Sequence, residues 1–157
     1  MPALQFNVWR YECARCGATT DVPTLEGGYG ELTARSTTSG RAIYILAIGN
    51  PVFREVAEMA KSVVETVGMD LTERRYGEVV QAALSVACDP DIDGGTYGID
   101  VPPVCATCGS RTFAGYLGTE ELVDVDIAEA SYLLWSATPV DRRRELVRAA
   151  VLDELSR

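Results

Sequence analysis

The chain has 157 residues, of which 47% are hydrophobic and 24% charged, a balance typical of one folded domain and unlike that of a disordered chain. Its formal net charge is −9, and its longest apolar stretch, residues 42–48, is too short to cross a bilayer. We therefore expect a cytoplasmic protein with no membrane partner. Histidine is absent, which excludes Ser-His-Asp and Cys-His nucleophiles, an imidazole base and a histidine-containing catalytic zinc site.

The N-terminal third of the sequence predicts short strands. Residues 4–13 are rich in aromatic and β-branched side chains and predict a strand, and residues 19–22 predict its return. Residues 27–40 are rich in Gly, Ser and Thr, so they predict mostly loop, with a short strand around Leu32. Residues 41–49 are apolar and fit either a buried strand or the approach to a helix, and their length does not decide between the two.

The middle of the chain predicts two helices. Asn50 is a good N-cap, Pro51 suits the first helical position, and Gly68 ends the apolar helical pattern. A second helix is predicted to begin with Asp70 and Glu73 as a capping box and to run to about residue 87. The apolar stripes of both helices are interpreted as core contacts.

The C-terminal third predicts strands followed by helices. Residues 111–117 and 121–127 predict two strands, the second with Val123, Val125 and Ile127 facing inward. Residues 128–136 predict a short helix that carries Trp135. Residues 138–141 predict the start of a final helix, which we expect to cover the sheet.

Two Cys-x-x-Cys-Gly motifs, at residues 13–17 and 105–109, carry the most specific chemistry of the sequence. Two intervening residues allow both sulfurs of a motif to face one ion, and the following Gly17 or Gly109 tolerates the positive φ of a tight turn. Four thiolates at this spacing make a tetrahedral metal site. The predicted metal ligands are Cys13, Cys16, Cys105 and Cys108.

These motifs resemble the knuckles of zinc-ribbon and rubredoxin-type proteins, and Pro102 and Pro103, just before the second motif, add to the likeness. The resemblance covers about a fifth of the chain. It implies a structural Zn²⁺ held by the four cysteines, with iron as the alternative because rubredoxin-like sites use the same four sulfurs.

The predicted fold is α+β in one domain: a small antiparallel zinc-ribbon-like sheet, a two-helix insertion between the knuckles, and C-terminal helices. The ribbon core is assigned to residues 1–30 and 100–128, the insertion to 50–88 and the C-terminal helices to 129–156. Between Cys16 and Cys105 lie 88 residues, where a compact ribbon has roughly 12 to 20. The longer loop costs about 1.6 kcal/mol of closure entropy, well below the ~10–16 kcal/mol of a structural zinc site.

Other uses of the cysteines are disfavoured. A redox pair would begin a helix, whereas residues 17–20 predict a turn and a strand, and disulfides would need an oxidising compartment although residues 1–12 contain no secretory signal pattern. Cys88, outside the motifs, is interpreted as a buried structural thiol.

A calcium-loop pattern follows the second predicted helix, where Asp89, Asp91, Asp93 and Asp100 are candidate Ca²⁺ ligands. The proline at position 90 is atypical of such loops, and residues 101–103 are unable to start the usual exit helix. An acidic, Gly-rich connector is therefore favoured over a calcium site.

The charge distribution gives the only indication of a partner. Residues 89–129 contain nine acids and one base, Arg111, so this segment repels phosphate backbones and attracts basic protein surfaces. We therefore expect a non-enzymatic protein-interaction module, such as an inhibitor, an immunity-type protein or an adaptor, that binds a basic protein. The alternative is a nucleic-acid-associated zinc ribbon that uses Arg142, Arg143, Arg144 and Arg148, although these arginines are more simply the solvated face of the last helix.

Overall fold

The computed structural model describes residues 5–25, 30–99 and 101–157. In these residues the chain forms seven strands and four helices, so the α+β class is confirmed. In chain order the elements are β1 (Gln5–Cys13), β2 (Thr19–Thr24), β3 (Glu31–Ser36), β4 (Ala42–Leu46), α1 (Pro51–Val67), α2 (Glu73–Ser85), β5 (Tyr97–Gly98), β6 (Phe113–Asp124), β7 (Ala128–Glu129), α3 (Leu133–Ala137) and α4 (Val140–Leu155).

A three-stranded antiparallel sheet, which we call the ribbon sheet, has the order β2-β1-β6. Its central strand β1 pairs along β6 from Gln5 opposite Asp124 to Cys13 opposite Phe113. The sheet therefore joins the segment that leads into the first knuckle to the segment that leaves the second one. This pairing sets the positions of both cysteine motifs.

The prediction of two separate strands at 111–117 and 121–127 is wrong, because β6 runs without a break from Phe113 to Asp124. Between the pairs Asn7–Leu122 and Trp9–Gly118, β6 has two more residues than β1, so β6 carries a bulge at this point. The Thr119 hydroxyl donates to the Val8 carbonyl oxygen at 2.8 Å within this bulge. The residues between the two predicted strands thus belong to one bulged strand.

A second, four-stranded sheet has the order β5-β3-β4-β7, with β4 and β7 parallel. The sequence did not predict this sheet as a unit. The short strand expected around Leu32 is confirmed but is longer, over residues 31–36, and the open question over residues 41–49 is settled as a strand over residues 42–46. Composition obscured β3 because its buried positions include the polar residues Thr33, Arg35 and Ser36. Thr33 accepts a hydrogen bond from the Leu25 amide at 3.0 Å, so its burial is compensated.

Helix α1 begins and ends where the sequence predicted. The Asn50 side chain accepts hydrogen bonds from the first-turn amides, Pro51 opens the helix, and Gly68 closes it in the left-handed conformation. The predicted start of α2 is wrong: the cap is Thr72, whose hydroxyl accepts from the Arg75 amide at 3.2 Å. Thr72 directly precedes the first helical residue, and this short side chain replaces the expected capping box.

The main core lies between the second sheet and the helices, where Ile45 of β4 packs in one cluster with residues of α1, α2 and α4. Residues 128–136 do not form one helix; β7 precedes the shorter α3. Helix α4 packs against α1 and α2 through Val147 and Val151, both fully buried. The expectation that this helix covers the sheet is wrong, because α1 and α2 supply its principal contacts.

Candidate metal centre

The four predicted ligands meet at one point, with their Sγ atoms all within 4.8 Å of one another. The Sγ atoms of Cys13 and Cys108 are 3.6 Å apart, and those of Cys16 and Cys105 are 3.7 Å apart. Four sulfurs at 2.3 Å from one ion, at the corners of a tetrahedron, are about 3.8 Å apart. A disulfide would bring two sulfurs to about 2.05 Å, so the spacing matches a metal-binding cluster of free thiols.

The two knuckles are the same turn repeated. The Gly17 amide donates to the Cys13 carbonyl oxygen at 3.0 Å, and the Gly109 amide donates to the Cys105 carbonyl oxygen at 2.9 Å. Gly17 has φ +73° and Gly109 has φ +74°, a left-handed conformation that glycine adopts without strain. The sequence prediction for both glycines is confirmed.

Each knuckle is also bonded to the chain beside the other knuckle. The Ala14 amide donates to the Thr112 carbonyl oxygen at 3.0 Å, and the Ala106 amide donates to the Thr20 hydroxyl at 3.1 Å. These two bonds cross between segments about 90 residues apart in the sequence. The protein therefore brings the two sulfur pairs together by hydrogen bonds between the two segments as well as through any ion they bind.

The four thiols differ in exposure and acidity. Cys13 and Cys105 are each only 2% exposed, whereas Cys16 is exposed. Backbone amides later in its own knuckle lower the pKa of Cys105 to about 6, and the pKa of Cys13 is lowered in the same way. The Ala18 amide lowers the pKa of Cys16. Desolvation of its sulfur by the surrounding atoms and the three neighbouring thiols outweigh this effect and raise the pKa of Cys16 to about 12. Crowded thiols of this kind favour a bound cation, whose positive charge stabilises the deprotonated thiolates.

The donor set fits a structural divalent metal. Four soft thiolates suit zinc and iron alike, and four protein ligands complete a tetrahedral shell with no position left for water. The centre can therefore hold β1 and β6 together. Its four ligands are all protein side chains, so a bound ion would be held in a closed site.

Cys88 lies outside the cluster. Its half-buried thiol donates to the Leu84 carbonyl oxygen at 3.7 Å. Burial, with a smaller contribution from the Asp89 charge, raises the pKa of Cys88 to about 12. A thiol with this environment is inert at neutral pH.

The candidate calcium ligands are used by the fold in separate places. Asp89 accepts hydrogen bonds from the Leu133 and Leu134 amides at 2.9 and 2.8 Å and so caps α3. Asp91 accepts from Ser39 and from Arg41, and Asp93 accepts from Thr38 and the Gly95 amide. Asp100 lies outside the described residues. Across residues 5–25, 30–99 and 101–157, the four cysteines are the only group of three or more potential metal ligands found together.

The arginine run has two distinct roles. Arg143 donates to the Glu55 carboxylate at 2.9 Å and to the Trp135 carbonyl oxygen at 2.9 Å, and its guanidinium lies 5.5 Å from the Trp135 ring centre. The Trp135 indole N–H donates to the same carboxylate at 3.0 Å. Arg143 is thus an internal contact between α1, α3 and α4. The exposed arginines of the run are Arg142, Arg144 and Arg148, of which the first two form ion pairs with acids of their own helix.

Sequence reasoning missed one further polar group near the ribbon sheet. Arg35 of β3 is 7% exposed and donates to the Thr24 hydroxyl at 3.1 Å. The only signal in the sequence was a charged residue at an inward position of a strand, and the predicted short strand around Leu32 did not extend clearly to Arg35.

No protein-family model, characterised protein or solved structure matches the chain at a significant level. Among the helices that the structure describes, none combines the length and the apolar character needed to cross a membrane.

Proposed function

We propose that the chain is a non-enzymatic zinc-binding protein-interaction module, of the inhibitor, immunity-type or adaptor class, that binds a basic protein through one acidic surface. The observation that carries the proposal is a group of exposed carboxylates on and just after β6, none of them in an ion pair within the described part of the chain. We call this group the β6 acidic surface; its members are Glu120, Glu121, Asp124, Asp126 and Glu129.

The β6 acidic surface is narrower than the acidic segment of the sequence. Asp89, Asp91 and Asp93 accept hydrogen bonds inside the fold, so their charges are partly compensated. Within the described residues, none of the carboxylates of the β6 acidic surface accepts such a hydrogen bond. Glu121 interacts electrostatically with Arg10, and all five carboxylates are exposed to an approaching cationic surface. Complementary charge of this kind raises association rates and selects against acidic partners.

The position of β6 supports the same proposal. This strand is at the edge of the ribbon sheet, and its side chains Leu117 and Leu122 are 71% and 56% exposed. Acidic side chains on an edge strand disfavour pairing with a second copy, while the exposed leucines supply apolar contact area. A basic partner would contact the acidic side chains and the exposed leucines together, and a metal bound by the four cysteines would hold β6 in position.

The absence of enzymatic activity is part of the proposal. It is supported by the lack of histidine and by a four-thiolate shell that leaves no site for an activated water. A reducing cytoplasmic location is proposed with it, because all five cysteines are free thiols.

Affinity capture from the native host tests the proposal when two variants with equal charge change are compared. The test variant carries Glu120→Gln, Glu121→Gln and Asp124→Asn. The control carries Glu58→Gln, Glu65→Gln and Asp70→Asn, three exposed acids remote from the ribbon sheet. Both variants gain three units of charge, so a general charge effect alters them equally.

The proposal predicts a basic protein that is captured by the parent and by the control and is lost or much reduced with the test variant. Binding should weaken as salt rises from about 50 to 500 mM, because exposed charges are screened over about 10 Å at 0.1 M. If the test variant and the control capture the partner protein equally, or if its binding does not weaken with salt, the assignment of the β6 acidic surface is contradicted.

A further inference from the structure

A cavity of about 250 Å³ lies beside the ribbon sheet, where β1, β2 and β6 meet β3. Its walls are formed by Trp9, Tyr11, Thr24, Arg35 and Tyr116. Three of the five are aromatic, and one is a cation that is more than nine-tenths buried. This combination differs from the rest of the surface, and the metal centre does not use it.

The cation of this cavity is incompletely paired within the part of the chain that the structure describes. There, of the five N–H donors of the Arg35 side chain, only Nη2 donates a hydrogen bond, to the Thr24 hydroxyl, and no carboxylate forms an ion pair with it. Burial lowers the pKa of Arg35, yet a guanidinium stays charged in proteins. Asp21, in the wall of a neighbouring cavity that Arg35 also lines, is already held by Arg10 at 2.7 Å. A buried charge in this condition favours an anion.

The aromatic walls form a continuous row. The Tyr116 ring centre is 5.3 Å from that of Trp9 and 5.3 Å from that of Tyr11, with which it is stacked. Tyr116 is 64% exposed, so one side of the row is open to solvent. The indole N–H of Trp9 is the one buried side-chain donor without an acceptor among the described residues. The row offers flat surfaces on which a planar ring can stack.

We propose that this cavity binds a small aromatic anion, whose carboxylate or phosphate group is held by Arg35 and whose ring stacks on Trp9 and Tyr116. The fork of the guanidinium matches the two oxygens of such a group. A polymer of nucleotides is disfavoured because the chain carries a net charge of −9, which repels a polyanion more strongly than a single charge. The site is independent of the β6 acidic surface and of its protein partner.

Quenching of Trp9 fluorescence tests the proposal. The Trp135→Phe background leaves Trp9 as the only tryptophan, and the parent with Trp9→Phe should lose the response. The probes are benzoate, phenyl phosphate, benzylamine, inorganic phosphate and a thymidine oligonucleotide. Saturable quenching by benzoate or phenyl phosphate and none by benzylamine is expected, and the tighter of the two anions identifies the head group. Equal affinity for inorganic phosphate, equal affinity for benzylamine, or binding of the oligonucleotide alone overturns the proposal.

Variants assign the contacts. Arg35→Gln should weaken the preferred aromatic anion at least tenfold, because it removes a charged hydrogen bond. Tyr116→Ala should weaken it at least fivefold by removing a stacking surface, and the exposed neighbour Leu117→Ala should leave it unchanged. If Arg35→Gln does not fold, Tyr116→Ala decides, because Tyr116 is exposed. Parent-like affinity in a folded Arg35→Gln or in Tyr116→Ala refutes the site.

Discussion

Replacing Cys105 by serine tests how far the metal centre stabilises the fold. Cys105 is 2% exposed, and its sulfur lies 3.7 Å from that of Cys16. An ion that holds both ends acts as a cross-link over a loop of about 90 residues, which by the chain-entropy relation stabilises the folded state by about 4.6 kcal/mol. Since 1 kcal/mol shifts Tm by about 2–4 °C in a chain of this size, Cys105→Ser should lower the Tm by roughly 9–18 °C in excess zinc.

The matched control is Cys88→Ser, the same chemical change at a cysteine outside the cluster. Its half-buried thiol forms one long contact, so we expect a loss below about 1 kcal/mol and a Tm shift within roughly 4 °C. Calorimetry of both variants measures the difference. If Cys105→Ser melts within about 3 °C of the parent, the inference that the ion joins the two halves is wrong.

Three further predictions concern contacts that the structure revealed. Arg143→Met should lower the free energy of unfolding in urea by about 2–3 kcal/mol, because it removes the cationic partner of the Glu55 carboxylate, which then keeps only the Trp135 indole N–H as a donor among the described residues. Arg142→Met removes an exposed ion pair and should cost under about 0.5 kcal/mol. Equal costs would contradict the internal role of Arg143. Burial raises the pKa of Asp89, but the hydrogen bonds to its carboxylate outweigh this effect and lower the pKa below its usual value of 3.8. The ionised carboxylate therefore stabilises the fold above pH 3.8, and this stabilisation is lost as the pH falls through the lower pKa of the folded state. Asp89→Asn should therefore cost about 1 kcal/mol at pH 7, because the neutral amide loses the charge-assisted part of these hydrogen bonds, and it should cost less near pH 2. A cost that does not change with pH would contradict the role of the Asp89 charge. Gly77→Ala should stabilise α2 by about 0.5–1 kcal/mol, because an added Cβ meets no atom within 4 Å; a destabilised variant in the same urea assay would contradict this.

Features set by neighbouring residues could be predicted from the sequence. The two cysteine motifs and the boundaries of α1 depend on side chains within a few positions of one another, such as Asn50 with the first-turn amides and Gly68 with the last turn. The spacing of each motif fixes its own turn, which explains why Gly17 and Gly109 were predicted correctly. Local chemistry was sufficient in these cases.

Features set by distant residues could not be predicted. The full length of β3 is recognisable only once β4 and β5 flank it, because its buried polar residues do not show an apolar alternation. The continuity of β6 depends on its pairing with β1 on both sides of the bulge, and those partners are distant in the sequence. Arg35 and Arg143 look like surface residues in the sequence, and only tertiary packing places them inside the fold.

X-ray absorption at the metal edge of the purified, metal-loaded protein tests the central inference most directly. One metal per chain surrounded by four sulfur atoms at about 2.3 Å is the predicted result. The Cys13→Ser variant, which lacks the other buried ligand, should not show this shell of four sulfur atoms. A first shell that contains oxygen or nitrogen in place of sulfur, or metal-free protein whose sulfurs are paired at about 2.05 Å, would contradict the account.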